Sequence, residues 1–230
     1  MAQTYNIIYS FSGCADAGGP TSTLILDRSG SLYATAKSGG APCGVRGWGV
    51  AFKLKPATGS GSGTVFELTP SGSGWTPKVL YTFTGGTDGG EPVGGLVMDA
   101  AGNLYGSTVE GGTGGGGTIF ELSPSGGSWT FGTLYSLVGG GGPLSSLTID
   151  AAGNLYGTAF LDGASGVGSV FKLTHSGGSW TFTDLHDFQA NSGGVTPIGG
   201  VTLDGSGNLY GTTIDGGTRG AGVIWEITPN

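Results

Sequence analysis

Three acidic residues recur at or next to one position of a repeated sequence pattern: Glu110, Asp162 and Asp215. Two carboxylates can serve as acid and base in glycoside cleavage, and the distance between them decides whether they do. The same groups can instead accept hydrogen bonds from sugar hydroxyls without any catalysis. The sequence does not give their separation. Two hypotheses therefore stay open, a carbohydrate-active hydrolase or lyase that uses these acids and a non-catalytic glycan-binding surface.

Four further residues differ between the repeats and are predicted to lie near these acids: Arg46, Trp48, Asp88 and Arg219. An exposed tryptophan can stack on the apolar face of a sugar, while charged groups hydrogen-bond its hydroxyls. We expect these four residues and the three acids to form one ligand-binding face. The alternative is that they are solvated loop charges with no ligand.

The histidines and cysteines give structural predictions. His175 and His186 are the only histidines, so no histidine cluster can bind zinc, and each replaces a Pro or Tyr of the other repeats. No cofactor is expected, although a structural calcium ion is compatible with places where several carboxylates meet. Cys14 and Cys43 are predicted to form a disulfide because both fall in loops on the same face, which indicates an oxidising compartment.

The elements that position these residues follow from a fourfold repeat. Leu-Tyr followed by Ala or Gly occurs at 32–34, 104–106, 155–157 and 209–211, and in three copies a central aromatic residue follows the tyrosine by fifteen positions. A period of about fifty residues, rich in Gly and aromatics, is typical of β-propeller blades. The sequence predicts an all-β fold, a four-bladed β-propeller with four-stranded blades in a single domain over residues 1–230.

The chain ends predict how the ring closes. The predicted blades cover approximately 22–83, 95–137, 146–188 and 200–228, each with strands a to d. The last copy stops after strand c, and residues 5–11 match strand d of the other copies. We expect this N-terminal strand to complete the last blade (3+1), which leaves no open sheet edge. The second strand-c pattern within residues 50–70 is predicted to be a local excursion and not a fifth blade.

Two polar sets recur in all four copies. The acidic set is expected to close the turn between strands a and b, where Asp accepts backbone hydrogen bonds. The hydroxyl set lies two positions after the repeated tyrosine and is either structural or lines a central channel. The acidic set is Asp27, Asp99, Asp150 and Asp204, and the hydroxyl set is Thr35, Ser107, Thr158 and Thr212.

Three linked motifs carry a family resemblance. They are Gly-Thr-Val-Phe-Glu-Leu-Thr-Pro at 63–70, Leu-Tyr-Thr-Phe-Thr-Gly-Gly-Thr-Asp-Gly-Gly-Glu-Pro at 80–92 and Gly-Asn-Leu-Tyr-Gly-Thr at 153–158. Through them the chain resembles the GloVer tandem-repeat (choice-of-anchor) proteins of bacteria over residues 5–229. The resemblance implies an extracellular or surface-attached protein and no particular activity. Since no anchoring segment follows Asn230, we expect a freely secreted or excised unit.

The amino-acid composition argues against two classes of binding partner, nucleic acids and membranes. Only 10% of the residues are charged, the net charge is -7 and no basic stripe exists, so nucleic acid is not expected to bind. Apolar runs are too short for a membrane helix, so no membrane insertion is expected. Our leading hypothesis is a secreted propeller, its signal peptide missing from this sequence, that binds a glycan or another cell-surface component without catalysis. Its b–c and d–a loops form the binding face. A purely structural repeat module is the third hypothesis.

Overall fold

The computed structural model describes residues 8–9, 20, 22–37, 62–72, 74–139, 141–189 and 193–229. These residues form only β-strands, turns and loops. The strands are β1 (Ile25–Leu26), β2 (Leu32–Ala36), β3 (Thr64–Ser71), β4 (Gly74–Thr82), β5 (Val97–Met98), β6 (Leu104–Ser107), β7 (Gly115–Ser125), β8 (Ser128–Val138), β9 (Thr148–Ile149), β10 (Leu155–Ala159), β11 (Ser169–Ser176), β12 (Ser179–Asp187), β13 (Thr202–Leu203), β14 (Leu209–Thr212) and β15 (Ile224–Ile227).

The strands form four antiparallel sheets in which neighbours along the chain pair with each other. Sheet 1 contains β1–β4, sheet 2 contains β5–β8, sheet 3 contains β9–β12 and sheet 4 contains β13–β15. The predicted all-β fold of repeated sheets is confirmed, with strands a to d in the predicted order. Sheet 4 has three strands within the described residues, and no helix there is long and apolar enough to span a membrane.

The turns between strands a and b are held by the repeated aspartates, as predicted. Asp99 accepts hydrogen bonds from the amides of Ala101 and Asn103, both 2.9 Å, and from the Tyr105 hydroxyl at 3.1 Å. Burial opposes ionisation of Asp99, but these bonds and the Asn103 side chain outweigh it and hold its pKa below the usual range. The same pattern recurs at Asp150, so these carboxylates are structural.

The core lies between the faces of successive sheets. The second and third strands of sheets 1–3 are buried on both faces, which explains their continuous apolar sequences. The glycine of the Leu-Tyr-Gly motif is needed at Gly106 because a Cβ there would lie 2.5 Å from Cζ of Phe120. That close approach links the motif to the central aromatic residue of the next strand.

Two buried hydroxyls of the recurring set join neighbouring sheets. Thr35 Oγ1 donates to the Gly94 carbonyl and Thr158 Oγ1 donates to the Gly199 carbonyl, both at 2.9 Å. Each bond runs from strand b of one sheet to the loop that enters the next sheet. For these two positions, the structural interpretation of the hydroxyl set is therefore correct.

The two ends of the array differ from its interior. Leu24 before β1 is 53% exposed, whereas its equivalent Leu96 is 2% exposed. Ile224 in β15 is 83% exposed, whereas its equivalent Ile119 is fully buried. The described residues thus leave one apolar face uncovered at each end of the array of sheets.

Candidate functional site on the loop face

The loop face consists of the loops between strands b and c and the loops that connect successive sheets. Its described b–c loops are residues 108–114, 160–168 and 213–223, and its described connections are 83–96, 139–147 and 188–201 without 140 and 190–192. These loops are the predicted binding face. Arg46 and Trp48, Cys14 and Cys43, and the excursion in the 50–70 segment up to residue 61 lie outside the described residues.

Glu110 and Asp215 occupy equivalent positions on this face. Glu110 exchanges two backbone hydrogen bonds with Gly90 in the preceding connection, with N···O distances of 2.8 and 3.1 Å. Asp215 exchanges the same pair with Val195, at 2.8 and 3.4 Å. Each acid is therefore fixed at a short bridge between a b–c loop and a sheet connection.

A threonine two residues before each acid supports the bridge from inside. Thr108 Oγ1 donates to the Glu110 carbonyl at 3.2 Å and accepts the Thr118 amide at 2.8 Å. Thr213 Oγ1 donates to the Asp215 carbonyl at 2.9 Å and accepts an amide of its own loop at 3.1 Å. Because both hydroxyls are buried, the backbone beneath the two acids is held by the protein and not by water.

The side chains of Glu110 and Asp215 are in contact with solvent. Both residues are exposed, and neither carboxylate forms a side-chain hydrogen bond or ion pair within the described residues. The ion pair found there joins Lys37 Nζ and Glu91 Oε2 at 3.4 Å. The two acids are thus charged acceptors on rigid backbone, available to a ligand.

Asp162 is not the structural equivalent of these two acids. In sheet 3 the backbone amide that bonds the preceding connection belongs to Leu161, which donates to the Gly141 carbonyl at 3.5 Å. The Asp162 carbonyl instead accepts the Gly168 amide at 2.9 Å. In sheets 2 and 4 the carbonyl that accepts the equivalent bond belongs to a glycine, Gly111 or Gly216. Leu161 therefore takes the place of the acid in sheet 3, and Asp162 lies one position further along.

Asp162 belongs to an acidic cluster that the sequence analysis missed. Its neighbours are Asp184 and Asp187 of β12, and Asp187 Oδ2 accepts the Ala164 amide at 3.0 Å. Partial burial, a hydrogen bond with Asp187 and repulsion from Asp187 and Asp162 raise the pKa of Asp184 to about 6. Asp187 Oδ1 is buried and no fixed donor among the described residues reaches it, so a protonated Asp184 can donate a hydrogen bond to Asp187.

The Asp88 carboxylate accepts hydrogen bonds from residues of its own turn. It accepts them from the Tyr81 hydroxyl at 3.0 Å, the Thr84 amide at 2.9 Å and the Thr84 hydroxyl at 2.5 Å. Burial, the hydrogen bond to Asp88 and the negative charge of Asp88 raise the pKa of Tyr81. Asp88 therefore closes a turn, and a ligand would have to compete with three internal donors. Arg219 is exposed in the loop that carries Asp215.

Residues 57–230 match the Gloeobacter/Verrucomicrobia repeat. The chain belongs to this family. The resemblance read from the three motifs is thereby confirmed, although membership in the Gloeobacter/Verrucomicrobia repeat family names no activity. A search of curated proteins finds no match.

Within the described ranges of this family member, no group of three or more His, Cys, Asp or Glu side chains is arranged to bind a metal ion.

Solved structures similar to this family member include gluconolactonases. One is a gluconolactonase from Xanthomonas campestris, with 17% identity, a TM-score of 0.52 and coverage of 97% of this chain and 61% of that chain. Another, described as a putative gluconolactonase, has 18% identity, a TM-score of 0.48 and coverage of 90% and 57%. A protein of unknown function from Dyadobacter fermentans has 13% identity, a TM-score of 0.49 and coverage of 90% and 64%.

The chain thus spans less than two thirds of the length of each of these three proteins. At this identity the likeness to the Xanthomonas protein concerns the fold alone: the four all-β sheets have a structural neighbour among gluconolactonase-like proteins.

Proposed function

We propose that this protein is a non-catalytic binding module whose loop face recognises a glycan or another hydroxyl-rich surface component. The observation that carries the proposal is the pair of exposed carboxylates, Glu110 and Asp215, on loops fixed by the same set of hydrogen bonds. Acceptors held in place before binding lose little conformational entropy when a ligand arrives. Charged acceptors also make stronger hydrogen bonds to hydroxyls than neutral ones do. We propose an extracellular location for the same module.

The arrangement gives less support to hydrolysis or elimination. A glycosidase needs two carboxylates that flank one bond, within about 5–10 Å of each other. Here Glu110 belongs to sheet 2 and Asp215 to sheet 4, with sheet 3 between them in chain order, while Asp162 is part of a separate cluster. No hydrogen bond between these three carboxylates occurs in the part of the chain that the structure describes.

The proposal includes a four-bladed propeller in which residues 5–11 form the fourth strand of the last blade. Among the described residues, sheet 4 has no counterpart of the strand that β4, β8 and β12 supply to the other sheets. Tyr9, which aligns with Tyr81 of β4, packs against the buried cluster of sheet 1 that contains Phe66 and Leu68. A closed ring would bring the exposed Leu24 and Ile224 into an interface like the three internal ones.

Glycan binding is tested on an array of bacterial and plant polysaccharides, followed by titration of any hit. Removing one charged acceptor, as in Glu110→Gln or Asp215→Asn, is expected to weaken binding at least about 10-fold because a hydrogen bond to a charged group is lost. Glu67→Gln changes the net charge equally but lies in β3, away from the loop face, and should bind as the wild type does. An array without hits contradicts the proposal.

The closure is tested separately by deleting residues 1–12. Exposure of the apolar residues that the strand covers should lower the melting temperature by about 10 °C or more. An unchanged melting temperature would exclude a role for this strand in the last blade.

A further inference from the structure

A groove of about 350 Å³ lies along the edge of β15, where sheets 1–3 each have a fourth strand. Its walls are His186 and Phe188 at the end of sheet 3, residues 223–227 of sheet 4, and Gly193 of the connection. Part of this wall is aromatic, and the groove faces the side of β15 on which the described residues place no further strand. The internal interfaces indicate which side chain belongs in it.

At the interfaces between sheets 1 and 2 and between sheets 2 and 3, the corresponding space holds one aromatic ring from the fourth strand. Phe131 stacks on Tyr81 of the preceding sheet, with centroids 4.0 Å apart and planes 9° from parallel. Phe182 stacks on Tyr135 in the same way, at 4.1 Å and 10°. Each ring also stacks on the central aromatic residue of its own third strand, at 5.8 and 5.4 Å respectively. The fourth-strand ring therefore bridges two sheets.

The walls of the groove repeat this geometry without the bridging ring. His186 and Phe188 meet edge to face at 5.0 Å and 84°, while the corresponding pair in sheet 1 meets at 5.1 Å and 78°. Phe188 meets Trp225 at 6.1 Å and 61°, and the corresponding pair between sheets 1 and 2 meets at 5.1 Å and 62°. His186 and Trp225 thus stand where the two stacking partners of Phe131 stand.

Strand register identifies the missing residue. Phe131 pairs with Leu122 and Phe182 with Leu173, and the equivalent third-strand residue in sheet 4 is Ile227. Phe131 precedes Tyr135 by four positions and Phe182 precedes His186 by four, so the residue four positions before Tyr9 is required. That residue is Tyr5.

We infer that the Tyr5 ring of the same chain occupies this groove, stacked on His186 and beside Trp225. The inference rests on the proposed closure of the ring and names the contact that anchors it. A second observation at the same place supports it, because Trp225 Nε1 is buried without a hydrogen-bond partner in the described residues. A strand added to β15 brings backbone carbonyls to this edge, and such a carbonyl can accept the indole proton.

The test is hydrogen exchange of the full-length protein, followed by mass spectrometry of the segment that contains β15. Pairing with residues 5–11 should protect this segment, and Tyr5→Ala should reduce the protection at least about 10-fold by favouring local opening. Tyr5→Phe keeps the ring and should retain the protection. Asn6→Ala changes the neighbouring residue, which in the proposed strand would face the opposite side, and should also retain the protection.

Three results would overturn the inference. They are an unprotected β15 in the wild type, equal protection in Tyr5→Ala and Tyr5→Phe, and protection that rises with protein concentration, which would assign the strand to a second copy. The His186 ring resonance in NMR spectra gives an independent readout, since loss of a stacked ring in Tyr5→Ala should shift it while His175 stays unchanged. Glycan binding to the loop face is measured separately, so failure of that function leaves this test intact.

Discussion

The b–c loops of sheets 2 and 3 have the same place in the repeat but different chemistry. In sheet 2 the loop is held by hydroxyls, with Thr108 beneath the bridge and Ser136 accepting the Thr113 amide at 3.4 Å. In sheet 3 position 108 is replaced by Ala159, and the role of Ser136 passes to Asp187. The two loops therefore keep the same backbone hydrogen bond while the side chains that support it change from uncharged in sheet 2 to ionisable in sheet 3.

The largest effect should come from a glycine that both loops require. A Cβ on Gly117, which has a φ of 89°, would lie 2.1 Å from the Thr108 carbonyl oxygen. Gly117→Ala is therefore expected to cost about 3 kcal/mol of unfolding free energy, through overpacking and backbone strain. Gly115→Ala meets open space at a φ of 76° and should cost about 1 kcal/mol. Denaturant unfolding measures both, and equal losses would show that the close contact is unimportant.

An intermediate effect is expected where the two loops differ. Thr108→Val removes the buried hydroxyl and leaves the Thr118 amide without this acceptor, which should cost about 1–3 kcal/mol. Thr113→Val changes an exposed threonine of the same loop and should stay within about 0.5 kcal/mol of the wild type. If Thr108→Val proved neutral in denaturant unfolding, the hydroxyl support of sheet 2 would be dispensable, as it is in sheet 3.

The smallest effect should be a pH dependence confined to sheet 3. The pKa of Asp184 is raised from 3.8 to about 6 in the folded protein, so between these values the folded state binds more protons than the unfolded state. Its contribution to stability is present below pH 4 and is lost as the pH rises through 6. Since solvent screens this group, we expect a fall of about 2 °C in melting temperature across that range.

Asp184→Asn removes the titrating group and should flatten this part of the stability profile. Thr133→Asn is the matched control. Thr133 has the register of Asp184 in sheet 2, where Ser136 stands in place of Asp187. A wild-type profile that rises between pH 4 and 6 after subtraction of the Asp184→Asn profile would contradict the assigned direction.

Much of the fold could be predicted because the same constraints recur four times. The Asp99 turn follows from local hydrogen bonding, and the spacing from Tyr105 to Phe120 reflects the register that places Gly106 opposite the Phe120 ring. Such relations lie within a few dozen residues of one another. They appear in the sequence as residues that recur at fixed spacings, so they can be recognised without knowing how the sheets pack.

The candidate site was harder to predict because it depends on single residues in loops of unequal length. Glu110 and Asp215 do have equivalent positions. In sheet 3 the equivalent residue is Leu161, and Asp162 lies one residue later in the chain. The cluster of Asp184 and Asp187 was missed, although a signal was present. In other sheets their positions hold uncharged residues such as Thr133 and Ser136, so two acids there are departures from the repeat.

The strand order has a consequence for how the chain folds. Every strand in the described sheets pairs with a neighbour along the sequence, so each sheet needs only its own segment of chain to form. Local pairing of this kind lowers the entropy lost in closing loops and favours rapid folding. The sheets can therefore form one after another as the polypeptide leaves the ribosome. Any contact between the first sheet and the fourth must wait until the fourth has been synthesised, so it forms after the contacts within the first three sheets.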